Sequence, residues 1–190
     1  MSLSPNSLAF VALSNEYCAA VEGASQVADS RTFVATMLRL LPRIYIVASD
    51  LAPAPSLDED APYLDSYLSE DYYEEACESI RTLLGTDDVY LETFEEDMKY
   101  SETPVAASVA EGLCDIFQEL YNFISVVRDA HESQINDALI AVKNDFESFW
   151  SQQVVNVLRP LNQLRYNGDD DEYDGEPGNP SAEDDGIDLM

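Results

Sequence analysis

The residues best able to do chemistry in this chain are its carboxylates. Glu74 and Glu78 stand four apart, so a helix there stacks both on one face, and Glu75 with Glu78 supplies an E-x-x-E. Helix carboxylates at that spacing are the kind that hold magnesium in all-helical hydrolases. The E-x-x-D that would complete such a set occurs nowhere in the 190 residues. A metal-dependent hydrolase would have to draw on Glu74, Glu78, Glu111 or Asp115, and it is kept as the enzymatic alternative. Asp170, Glu172, Asp174 and Gly175 mimic the opening of a calcium loop, but its twelfth position falls on Ser181 where a bidentate Glu is needed.

The other reactive side chains give less. Cys18, Cys77 and Cys114 are 59 and 37 residues apart, and with the single His131 they form no zinc-ligand spacing. A di-iron bundle needs Glu three residues before a His, and Arg128 stands there. Each Cys lies in an apolar helical pattern, which predicts three buried free thiols in a reducing, cytoplasmic setting. The seven glycines, at 23, 85, 112, 168, 175, 178 and 186, permit neither a dinucleotide fingerprint nor a nucleophile elbow. Lys99 and Lys143 precede Tyr and Asn, so there is no P-loop. No catalytic residue, metal ligand or cofactor-binding residue is assigned, and the expectation leans away from an enzyme.

Tyr63, Tyr67, Tyr72 and Tyr73 cluster among acids. Tyrosine joins an apolar body to a polar tip, a combination enriched at interfaces. With Glu74 and Glu78 these four rings form the candidate interaction surface. The charge agrees: 38 acids against 9 bases give −29 and an isoelectric point near 4.1. Residues 58–102 carry −14 and residues 168–190 carry −10, so a near-neutral scaffold displays two acidic segments. Within a Debye length of about 8 Å these repel nucleic acid and anionic lipid and attract a basic protein surface. No run of 18 apolar residues occurs, so no membrane span is expected.

Positioning these groups falls to helices. Ser4-Pro5 starts the first, with Phe10, Leu13, Tyr17 and Val21 on one face and Gly23 at its stop. The second starts at Asp29 or Ser30 and runs through Phe33, Met37, Leu40, Leu41, Ile44 and Val47, with a bend or local break predicted at Pro42. Ala52-Pro53-Ala54-Pro55 opens an acidic connector, and Pro62 a short turn. Ser69 caps a third helix whose inner face is Tyr73, Ala76, Cys77, Ile80, Leu83 and Leu84, followed by Gly85. Residues 86–103 are expected to be mostly loop, with Val89, Leu91 and Phe94 as anchors. Thr103-Pro104 opens the fourth helix, through Val109, Leu113, Ile116, Leu120, Ile124 and Val127. Gly112 would admit a close neighbour. After a break near 128–132, a rod of about 30 residues runs from Ile135 to Leu164, its last turns distorted by Pro160. Residues 167–190 are too polar to order themselves.

The block KYSETPVAASVAEGLCDIFQELYNFI, with FESFW and VVNVLRPL, resembles a bacterial family known only as a domain of unknown function, number 5063. The likeness spans most of residues 5–165. It implies an all-helical cytoplasmic protein, with no family catalytic residues to carry over. A second likeness, to helical maturation chaperones that bind redox enzymes, rests on LLGTDDVYLETF leading into ETPVA. Glu102-Thr103-Pro104-Val105 stands where that family has a Pro-Asp-His type signature. The reading is therefore an all-α, up-and-down-like bundle of about five main helices over 1–166, with an acidic connector and a mobile acidic tail over 167–190. Its expected role is a non-catalytic acidic interaction module, with the metal-dependent hydrolase and the maturation chaperone as alternatives.

Overall fold

The computed structural model describes residues 3–56, 62–92, 105–129 and 132–167. Local chemistry starts the first three helices where expected. The Ser4 hydroxyl accepts from the Ser7 amide at 3.0 Å and opens α1, Pro5–Glu22. Asp29 accepts from the Thr32 amide at 2.8 Å and opens α2, Ser30–Ser49. Ser69 accepts from the Tyr72 amide at 3.3 Å and opens α3, Glu70–Leu84. Each bond occupies one amide that the helix start leaves without a partner. Gly85, with φ of +59°, takes the backbone out of α3 at an angle that side-chain-bearing residues rarely adopt.

The start of the fourth helix departs from expectation. Val105–Ser108 is extended and forms strand β2, paired antiparallel with β1, Val89–Glu92, in the register Val89 to Ser108 and Glu92 to Val105. Thr103 and Pro104 lie outside the described residues, and α4 runs Val109–Asp129. Its cap is double. Ser108 Oγ accepts from the Glu111 amide at 3.1 Å, while buried Asp88 accepts from the Ala110 amide at 2.7 Å and from the Ser108 hydroxyl at 2.8 Å. A cap supplied partly from 22 residues upstream outweighs the proline signal. Val89 and Leu91, expected as anchors, are exposed, and Phe94 lies outside the described residues.

The rod after α4 comprises α5, Glu132–Asp145, one π-helical turn at Phe146–Trp150, and α6, Ser151–Tyr166. Ala130 and His131, in the expected break, are outside the described residues. The π turn swings the Trp150 indole so that it donates to the Val142 carbonyl at 3.1 Å, and its ring meets Phe146 edge-on at 4.5 Å. Phe10 joins this cluster from α1 and Phe123 from α4. Neither interior proline breaks its helix: α2 continues past Pro42 and α6 past Pro160. Both halves of α2 are anchored in the core, by Phe33, Val34 and Met37 before the proline and Ile44 and Ala48 after it. That packing outweighs the lost hydrogen bond.

Counting α5, the π turn and α6 as one rod, five main helices build an all-α bundle with one two-stranded ribbon among the described residues. α4 is its axis, apolar on most sides through Val109, Ala110, Leu113, Ile116, Phe117, Leu120 and Phe123, and α1, α3, α5 and α6 pack against it. α2 closes the side between α1 and α6. It is long and apolar enough to cross a membrane by length and composition alone, and within this bundle it supplies core.

The proline-rich connector is strapped down by side chains. Lys143 Nζ donates to the Leu51 carbonyl. Asn136 both accepts from the Ala54 amide and donates to the Ala54 carbonyl, each at 3.0 Å. Buried Asn122 accepts from the amides of Tyr67 and Leu68 at 2.8 and 3.0 Å. These bonds replace the backbone ladder that alternating prolines deny the segment. Residues 62–68 contain no helical turn at Pro62.

Candidate functional site: the outer helix α3

Helix α3 turns Ala76, Cys77, Ile80 and Leu84 inward. The same 3.6-residue period therefore leaves Glu70, Asp71, Glu74, Glu75 and Glu78 exposed. Glu70 and Asp71 sit in the first turn, where the helix dipole favours anions. The helix's one base, Arg81, is taken up internally. Its guanidinium accompanies Glu78 at 2.8 Å and Glu111 of α4 at 3.6 Å. Between α3 and the turn joining α1 to α2 runs a groove of about 580 Å³, lined by Ala24, Ser25, Val27, Ala28, Asp29 and Ser30 on one side and Glu75, Glu78, Ser79, Thr82 and Leu83 on the other. Asp29 at its edge has a lowered pKa, because the Thr32 amide and hydroxyl donate to it. The groove is thus rimmed by three carboxylates and floored by small and apolar side chains.

The four tyrosines divide into two pairs. Tyr63 and Tyr67, on the connector, are 81% and 50% exposed. They border a second groove of about 280 Å³ with Val126, Gln134, Asp137 and Ala138 of α4 and α5. Tyr72 and Tyr73 are half-buried and already engaged. Tyr72 donates to Glu22 Oε1 at 3.0 Å, and its ring meets Phe117 and Tyr121 edge-on. Burial first, and Glu22 second, push its pKa up to about 12. Tyr73 donates to Asp115 Oδ1 at 2.8 Å, and its pKa rises through burial and then that bond. Of the six candidate surface residues, Tyr63, Tyr67, Glu74 and Glu78 present themselves to solvent, while Tyr72 and Tyr73 also hold α3 to its neighbours.

Three of the four carboxylates considered for a metal are otherwise occupied, Glu78 and Glu111 flanking Arg81 and Asp115 accepting from Tyr73, while Glu74 stands exposed. Among the described residues no three His, Cys, Asp or Glu side chains gather in metal-binding geometry. Asp115, Glu119 and Asp145 all have raised pKa values, burial being the largest cause in each, and Glu119 reaches about 7 with Asp145 and Asp115 adding repulsion.

One grouping was not legible from sequence spacing. Cys77 of α3 and Cys114 of α4 are free thiols, 1% and 0% exposed, close enough to influence each other's ionisation. Cys114 beside it lowers the Cys77 pKa, an effect that burial and Glu74 oppose. Cys114 is correspondingly raised. Cys18, deep on α1, has no such company, and burial drives its thiol up to about 12. An interhelical pairing across 37 residues leaves no local trace; the signal available was Tyr73, Cys77 and Arg81 at successive intervals of four on one amphipathic helix.

A family described as a domain of unknown function (DUF5063) matches residues 1–167. No curated protein matches the chain. Among solved structures, the fold is similar to the crystal structure of protein BF1032 from Bacteroides fragilis, at 29% identity and a TM-score of 0.74, covering 86% of this chain and 94% of that one. With nearly nine-tenths of its length matched, the chain belongs to the DUF5063 family.

Proposed function

We propose that this protein is a non-catalytic interaction module whose acidic helix α3 receives a basic protein surface in the cytoplasm. One observation carries the reading: five exposed carboxylates share the outer side of α3, and its only base is held between Glu78 and Glu111. A lysine or arginine side chain entering the adjoining groove would meet Glu75, Glu78 and Asp29 over an apolar floor that suits its methylene stem. Exposed Tyr63 and Tyr67 add amphipathic surface. Nucleic acid and anionic lipid carry the wrong charge for such a face. Three unpaired thiols suit a reducing compartment.

The test separates this face from bulk charge. One variant carries Glu70→Gln, Glu74→Gln, Glu75→Gln and Glu78→Gln. A second carries the same number of neutralisations in the tail, at Asp170, Asp171, Glu172 and Asp174. In low-salt capture from the source cell, the wild type and the tail variant should recover a basic partner that elutes at high salt, and the α3 variant should lose it. Equal recovery by both variants, or no salt-eluted partner at all, contradicts the reading.

A further inference from the structure

The second groove, of about 280 Å³, lies between the connector and helices α4 and α5, away from the acidic helix. Tyr63, Asp65 and Tyr67 line it from the connector, Val126 from α4, and Asp137 and Ala138 from α5. Its walls are held by bonds made outside it. Leu64 packs half-buried against the core and Leu68 is buried, which pins the connector at both ends of this stretch. Asn122, one turn before Val126, accepts from the amides of Tyr67 and Leu68 at 2.8 and 3.0 Å. Asn136, beside Asp137, holds Ala54 through two bonds of 3.0 Å. These ties leave the side chains that line the groove unengaged. The rings of Tyr63 and Tyr67 are exposed, and among the described residues neither the half-buried Asp137 carboxylate nor that of Asp65 has a hydrogen bond or an ion pair. No lysine or arginine among the described residues lines the groove.

We propose that this groove receives one arginine side chain of a protein partner, its guanidinium lying against the Tyr63 and Tyr67 rings and donating to Asp137, with Asp65 adding negative charge at the mouth. Two carboxylates without a counter-ion beside two aromatic rings make a cation the complementary occupant, because the ring faces carry negative potential of their own. Arginine fits this combination better than lysine. Its planar guanidinium stacks on a ring while its N–H fork donates two parallel bonds to a carboxylate, and it gives up hydration more readily than an ammonium does. Val126 and Ala138 supply apolar surface for the methylene stem. The volume suits a single long side chain and not a helix or strand. This groove shares no residue with the one beside α3, so it stands whether or not the acidic helix binds a partner.

The test is amide chemical-shift titration of the full-length labelled protein with N-acetyl-arginine amide, with N-acetyl-lysine amide and free arginine as comparison probes at matched ionic strength. The capped arginine should shift residues 63–68 and 134–138 saturably, and the capped lysine should bind there about threefold or more weakly. Asp137→Asn should weaken the arginine probe by about tenfold. Tyr63→Leu should weaken it by about 2–5-fold, while Tyr63→Phe, which keeps the ring, stays close to the wild type. Any shifts across Ala24–Ser30 report the α3 groove instead and are untouched by Asp137→Asn, which separates failure of one groove from failure of the other. No saturable shift at residues 63–68 and 134–138, or equal binding of the arginine and lysine probes there, would overturn the proposal. Tighter binding of free arginine than of its capped form would make the groove an amino-acid site and overturn it as well. The comparison of probes on the wild type decides the question even if a variant fails to fold.

Discussion

Glu119 shows what a single carboxylate costs in a chain with this much negative charge. It is half-buried on α4, and burial, then Asp145, then Asp115 push its pKa from an ordinary 4.5 to about 7. A raised acid pKa means the folded state holds the proton more tightly than the unfolded chain. The protonated side chain's contribution is therefore full below about pH 4.5 and is lost as pH rises through about 7. Glu119→Gln should raise the melting temperature at pH 8 by about 2–4 °C, allowing for its partial solvent access, and leave it nearly unchanged at pH 4. Melting curves of both proteins across that range check this; a gain that is equal at all pH values would show that packing, not ionisation, is responsible. The raised pKa was not visible in the sequence, because Asp145 reaches Glu119 only through the packing of α5 on α4. Tyr72 and Tyr73 were visible as a tyrosine pair among acids, yet their hydroxyls go to Glu22 and Asp115, partners 50 and 42 residues away.

Elements announced themselves wherever their determinants are local. Ser4-Pro5, Asp29 and Ser69 each cap a helix within three residues of themselves, and each helix begins where that chemistry places it. The start of α4 was misplaced, although Ser108 and Glu111 form the S-x-x-E pattern of a capping box, because Thr103-Pro104 gave a competing signal and Asp88 acts from a distance. Four-residue strands are too short for a period of two to stand out. Gly112 was legible as a point of close approach, and α6 is the helix that approaches. A Cβ there would lie 2.5 Å from Val157 Cγ1, a stiff, fully buried side chain. Gly112→Ala should destabilise by about 1–3 kcal/mol despite its better helix propensity, and Val157→Ala in the same chain should recover much of the loss. Denaturant titrations of the two single variants and the double variant measure the coupling. Additive losses would show that the α4–α6 contact yields elsewhere.

At the scale of the whole molecule, no three carboxylates among the described residues gather in metal-binding geometry. Caps, an arginine shared by Glu78 and Glu111, and tyrosine hydroxyls absorb several of them, and five stand exposed on the outer face of α3. The family relationship and the similarity to BF1032 fix the fold and leave the role to the surface chemistry. Amide chemical-shift mapping of the labelled protein with the basic partner recovered by capture tests that role most directly. The largest shifts are predicted along Glu70–Thr82 and across Ala24–Ser30, fading as salt is raised. Shifts confined to residues 168–190, or spread evenly over every acidic segment, would contradict it.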